Sequence, residues 1–116
     1  MEVGGCGAMT TVKHRDRRFL KWRVINPETG DVQDLTGCTV NLMVRIQYTE
    51  GDADPYPMEI DGLATEGIVK YWYDGTIAPG PYDIEVEVTS PAGTIITSPS
   101  EGYNLLLVEP DLGQAA

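Results

Sequence analysis

The sequence predicts an all-β sandwich, and three observations carry that expectation. Two long segments, Thr39 to Tyr48 and Tyr82 to Thr89, alternate apolar and polar residues with a period of two, the repeat of a strand and not of a helix. Turn-forming clusters recur at short, fairly even intervals, drawing on 13 Gly and 8 Pro in 116 residues. No stripe of helical period lies between them. The length fits one domain, because two would each be too small to close a good core.

The elements follow in chain order. Residues 1 to 13 are small, Gly-rich and without a period, and are expected to form a flexible leader. Lys13-His14-Arg15-Asp16-Arg17-Arg18 is the basic cluster, either a solvated approach to a strand or a contact arm for an acidic neighbour. Phe19 to Val24 is the first strand, with Leu20, Trp22 and Val24 on one face and Lys21 and Arg23 on the other. Asn26 to Asp31 has turn chemistry throughout. Asp34-Leu35-Thr36-Gly37 is a second tight connection, with Leu35 expected to plug the end of the core.

In the next strand Val40, Leu42, Val44, Ile46 and Tyr48 share a face, opposite Thr39, Asn41, Met43, Arg45 and Gln47. Glu50 to Pro57 reads as an acidic loop, Met58 to Ile60 as a short strand, and Asp61-Gly62 as a turn. From Gly67 to Tyr73, Val69, Tyr71 and Tyr73 alternate with Ile68, Lys70 and Trp72. Both faces are apolar, so this strand is either central or covered on one side by a neighbouring protein. After the Gly/Pro-rich bend Asp74 to Pro81, Tyr82, Ile84, Val86 and Val88 point one way. Asp83, Glu85, Glu87 and Thr89 point the other, into solvent or toward a basic partner. Pro91-Ala92-Gly93 is a hairpin turn into Thr94 to Thr97, and Tyr103 to Val108 is the last strand. About seven strands in this arrangement predict an immunoglobulin-like Greek-key β-sandwich over residues 14–108, followed by a tail over 109–116. A small barrel is the structural alternative.

Charge excludes several functions. With 18 acidic and 8 basic residues, the formal charge is −10, a surface that repels nucleic-acid phosphates and anionic membranes. The longest apolar run, Leu105 to Val108, is far short of a membrane span. No apolar h-region precedes Val3-Gly4-Gly5-Cys6, so neither a signal peptide nor a lipoprotein cleavage site is expected. Cys6 and Cys38 are expected to be free thiols.

Catalytic chemistry is equally hard to find. His14 is the sole histidine and has no obvious orienting partner. No nucleophile elbow, phosphate loop, dinucleotide fingerprint or zinc-ligand pattern occurs. The carboxylate pairs Asp52/Asp54, Glu59/Asp61 and Glu85/Glu87 lack a cleft to push their pKa values apart. Asp52-x-Asp54 has the spacing of a calcium loop, but the glycine and distal glutamate of that motif are missing. Tyr56, Tyr71, Trp72 and Tyr73 are core aromatics or, if Tyr56 and Trp72 form a coplanar exposed pair, a sugar platform. The expectation is a binding module with no catalytic residues, no cofactor and no metal.

From Phe19 to Val108 the order of motifs resembles the immunoglobulin-like N-terminal domain of phage baseplate upper proteins and related small tailed-phage virion domains. The matching features are the turn at Asn26 to Gly30 and Asp34-Leu35-Thr36-Gly37 leading into Val40-Asn41-Leu42. Gly67 to Trp72 and Ala78-Pro79-Gly80-Pro81-Tyr82 before an alternating strand follow, then Pro91 to Thr94 and Thr97-x-Pro99 ahead of Gly102-Tyr103. The resemblance implies a structural virion protein, assembled in the host cytoplasm, that docks into a tail, baseplate or neck. Its partners would be other virion proteins or copies of itself in a ring or lattice. Baseplate upper proteins continue into helices and a receptor-binding scaffold, so a stand-alone tail, neck or capsid-associated component is the expectation here. The contact candidates are Lys13, Arg15, Arg17 and Arg18 on the arm, Asp52, Asp54, Tyr56 and Met58 on the acidic loop, and Glu109 at the tail. A capsid decoration protein and a carbohydrate-binding module are the alternatives.

Overall fold

Alternation along each strand decides which side chains meet, and the computed structural model shows the result for residues 2–3, 9–98 and 104–111. In chain order the strands are β1 (Glu2–Val3), β2 (Met9–Lys13), β3 (Arg18–Val24), β4 (Thr39–Ile46) and β5 (Asp54–Pro57). They continue as β6 (Glu59–Ile60), β7 (Ile68–Tyr73), β8 (Gly80–Thr89), β9 (Ile95–Ser98) and β10 (Asn104–Glu109), with one 3-10 turn at Ala64–Glu66. One sheet has the order β1-β3-β7-β6 and the other β2-β10-β8-β4-β5, with β9 also pairing β8.

This is an all-β sandwich in immunoglobulin order. β3, β7 and β6 take the places of strands B, E and D. β4, β8 and β9/β10 take those of C, F and G, with β5 added as C′. Tyr82, near the start of β8, donates its hydroxyl hydrogen to the Ala78 carbonyl oxygen at 2.7 Å. That is the tyrosine corner of this architecture.

The core lies between the sheets. Leu20, Trp22 and Val24 from β3 and Val69, Tyr71 and Tyr73 from β7 face Val40, Leu42 and Val44 from β4 and Ile84, Val86 and Val88 from β8. Leu35 closes one end, fully buried, as its position between two turns predicts. Cys38 is a free thiol packed at the margin of this core; Cys6 falls outside the described residues.

Four boundaries differ from the sequence expectation. The sandwich begins before residue 14: β1 pairs in parallel with β3 from Glu2, and β2 runs parallel to β10, burying Thr10 and Val12, so 9–13 are not a leader. At the other end Glu109 belongs to β10 and pairs with Lys13, while residues 112–116 of the expected tail fall outside the described residues. β4 stops at Ile46, and Tyr48 sits at φ 64 and 93 % exposed, off the apolar face assigned to it. Asp54–Pro57 is an edge strand on β4 and not loop. Its two prolines are tolerated because they occupy the sheet edge. Counting the two-residue strands, ten form among the described residues where about seven were expected.

Candidate protein-docking site

The basic cluster forms the turn between β2 and β3, and its own acidic neighbours neutralise much of it. Lys13 Nζ lies 2.9 Å from Glu109 Oε2, and that hydrogen bond and charge raise the lysine pKa. Arg15 Nε is 3.7 Å from Asp111 Oδ2 and Arg18 Nε is 3.6 Å from Asp16 Oδ2. Arg17 Nη1 donates to the Asp74 carbonyl at 3.2 Å, and Arg18 Nη2 to the Thr11 carbonyl at 3.1 Å. His14 Nε2 is 3.1 Å from the Gly75 carbonyl oxygen. The buried Tyr73 hydroxyl lies 2.9 Å from the His14 carbonyl and 3.2 Å from that of Ile77. Burial pushes this phenol up to about 12. The arm is therefore a pinned turn with paired charges.

The expected contact loop divides. Asp52 and Asp54 are exposed, and among the described residues neither side chain has an ion pair. With Glu50 they rim a cavity of about 320 Å³ walled by Val44, Ile77, Tyr56 and Tyr82. Tyr56 turns inward and meets Tyr71 edge to face, with centroids 5.7 Å apart. Met58 packs against the core. Both are placed as core margin, because β5 pairs in register with β4 and directs Tyr56 to the same side as Leu42.

A second surface lies on the outer face of β3 and β7. Phe19 and Trp72 are register partners. They remain 40 % and 47 % exposed and contact edge to face at 4.9 Å with planes at 65°. Lys70 Nζ sits 4.5 Å from the Phe19 ring centroid, a cation–π geometry. Lys21 Nζ and Lys70 Nζ share one carboxylate, Asp61, at 2.9 and 3.6 Å. The Lys21 hydrogen bond is the main reason that the Asp61 pKa is lowered. Arg23 extends the same face beside Ile68. The double apolar character of 67–73 points to this surface in the sequence. Phe19 is missed there, because its place beside Trp72 depends on register between strands far apart in the chain.

Tyr56 and Trp72 are not brought together. Tyr56 packs inward on Tyr71, and Trp72 points out from the opposite face of the same strand, β7. Among the described residues no group of three His, Cys, Asp or Glu side chains is placed to hold a metal ion, and no helix is long and apolar enough to cross a membrane. No protein-family model matches the chain, and no curated protein matches it significantly.

Proposed function

We propose that this chain is a non-catalytic docking domain of a tailed-phage virion, joined to a tail, baseplate or neck assembly. The observation that carries the docking reading is the solvent-facing Phe19–Trp72 pair with Lys70 above it. Exposed tryptophan beside cationic side chains has the composition of an interface hot spot. A lone sandwich gains nothing by leaving two large rings in water. The virion assignment is supported by the resemblance of the motif order from Phe19 to Val108. The rigid core lets the face act as a preformed surface, so little ordering entropy opposes docking.

The test is mass spectrometry of purified particles with quantified copy number, followed by imaging. Detection at a fixed stoichiometry with density at the tail or neck supports the reading, and density on the shell lattice favours capsid decoration instead. Absence from intact particles overturns both. Trp72→Ala is expected to reduce incorporation at least about tenfold, the loss of one hot-spot side chain, while the melting transition stays near wild type.

A further inference from the structure

At one end the sheet of β4, β5 and β8 extends past the core. Ile46 shares the inward face of Leu42 and Val44, yet it is 59 % exposed. Its register partner is Tyr82, and Asp54 stands opposite Val44 on that same face. An inward charge can guard a sheet edge against strand addition, but β5 is guarded already. Met58 N–H donates to Val40 O at 3.0 Å, so the even positions of β5 turn toward β4. Pro55 and Pro57, which have no N–H, then face outward. The inward Asp54 instead joins Glu50 and Asp52 on the rim of the cavity of about 320 Å³. The aromatic walls are fixed before any ligand arrives. Tyr82 is held by its hydroxyl bond to the Ala78 carbonyl and Tyr56 by its edge contact with Tyr71.

Charge selects the occupant. Among the described residues Glu50, Asp52 and Asp54 have no ion pair. Arg45 also lines the cavity, but its guanidinium is engaged, with Nη2 3.5 Å from Asp83 Oδ2 and Nη1 3.5 Å from the Gly51 carbonyl. Counting Arg45 wholly against the three carboxylates still leaves two negative charges. A bare metal ion does not suit them, because among the described residues no three acidic, His or Cys side chains converge on one point. An extended cation with an apolar stem does. Its methylenes would lie on Ile46 and Ile77, and a planar guanidinium would stack on a tyrosine ring while donating to more than one carboxylate. The volume is at the lower end of the range of small-ligand sites, about 300–1,000 Å³, and suits a single side chain. We infer that this cavity receives an arginine side chain of a neighbouring protein, drawn in by the −10 charge of the chain. The inference rests on the docking reading only for the source of the arginine, and it is independent of the β3/β7 face.

Titration of the full chain with Nα-acetylarginine amide at constant ionic strength, followed by amide chemical shifts, tests it. Saturable shifts are expected at Tyr56, Thr76, Ile77 and Tyr82 with a Kd of about a millimolar, since one side chain brings few contacts. The neutral isostere Nα-acetylcitrulline amide is expected to bind at least about tenfold more weakly. Free arginine carries an α-carboxylate against the acidic rim and is expected to bind more weakly than the blocked amide. Asp52→Asn/Asp54→Asn is expected to weaken the amide at least about tenfold, and Trp72→Ala to leave it unchanged. The exposed Asp52→Asn alone keeps the test valid if the double variant fails to fold, and it too is expected to weaken binding. Shifts that do not saturate, equal binding of the citrulline amide, or unchanged binding in a folded Asp variant overturns the inference. Tighter binding of free arginine does so as well, by making the cavity a small-molecule site. Saturable binding in a protein absent from virions leaves the cavity's role standing and overturns the virion reading. A protein found in virions that does not bind the amide does the opposite.

Discussion

Single residues set the junctions of this sandwich, and Gly67 is the most constrained. It leaves the 3-10 turn at φ 67, the left-handed region that costs an ordinary residue about 1–2 kcal/mol. It also has no room for a side chain. A Cβ there would stand 2.9 Å from the Gln33 carbonyl oxygen and 3.2 Å from that of Val24, and would overlap the Val32 side chain. Those carbonyls are fixed, because Gln33 N–H donates to Val24 O at 2.9 Å and Val24 N–H donates to Gly67 O at 2.8 Å. Gly30 offers the comparison: its φ is 75, but nothing lies within 4 Å of its Cβ position. Gly30→Ala is expected to cost about 1 kcal/mol, from conformation alone. Gly67→Ala is expected to cost at least about 3 kcal/mol, strain plus a backbone collision. Urea unfolding of the two variants measures the difference, and equal losses would show that backbone conformation alone governs both sites.

At the scale of elements, β2 shows what local pattern cannot reveal. Met9–Lys13 has one strongly apolar buried residue, Val12, and a buried Thr10, so no alternation of apolar residues announces it. Its partner is β10, at the far end of the chain, with Met9 opposite Leu105 and Val12 opposite Val108. β5 is hidden for a different reason: two prolines and an aspartate read as loop until the edge position on β4 is known. β3, β4, β7 and β8 are legible because each carries three or more core residues at period two. Deleting residues 1–13 therefore removes a structural strand. It uncovers Leu106 and Val108 and loses Val12, whose burial alone is worth roughly 1.5–3 kcal/mol. The expected loss is at least about 3 kcal/mol by denaturant titration, well beyond that of deleting residues 1–8. Equal stability of the two truncations would mean that β2 contributes no more than a leader would.

The whole molecule's response to pH follows from groups that the fold places apart from one another. On the acid side Asp34 and Asp74 are lowered mainly by the side-chain hydrogen bonds from Thr36 and Thr76, and Asp61 by that from Lys21. Their contribution is present above the unfolded value of 3.8 and is lost as pH falls through their lower folded values. Glu85 acts in the opposite sense, since its protonation is easier in the folded state. The alkaline side has no such opposition. Burial is the leading cause that raises Tyr71, Tyr73 and Tyr82, with Tyr73 at about 12, and Lys13 is raised through its hydrogen bond to Glu109. In the unfolded chain the phenols release protons near pH 10, while the folded state still holds them. The unfolded state then binds fewer protons, and stability falls as pH rises. The urea midpoint is expected to be level between neutrality and about pH 9.5, then to decline steeply toward pH 12. Tyr73→Phe should lower the midpoint at neutral pH by removing the hydroxyl that bridges His14 and Ile77, and should flatten the alkaline decline. A decline of unchanged steepness in that variant would assign the alkaline transition to the remaining groups and not to the phenol that ties the basic turn to the β7–β8 corner.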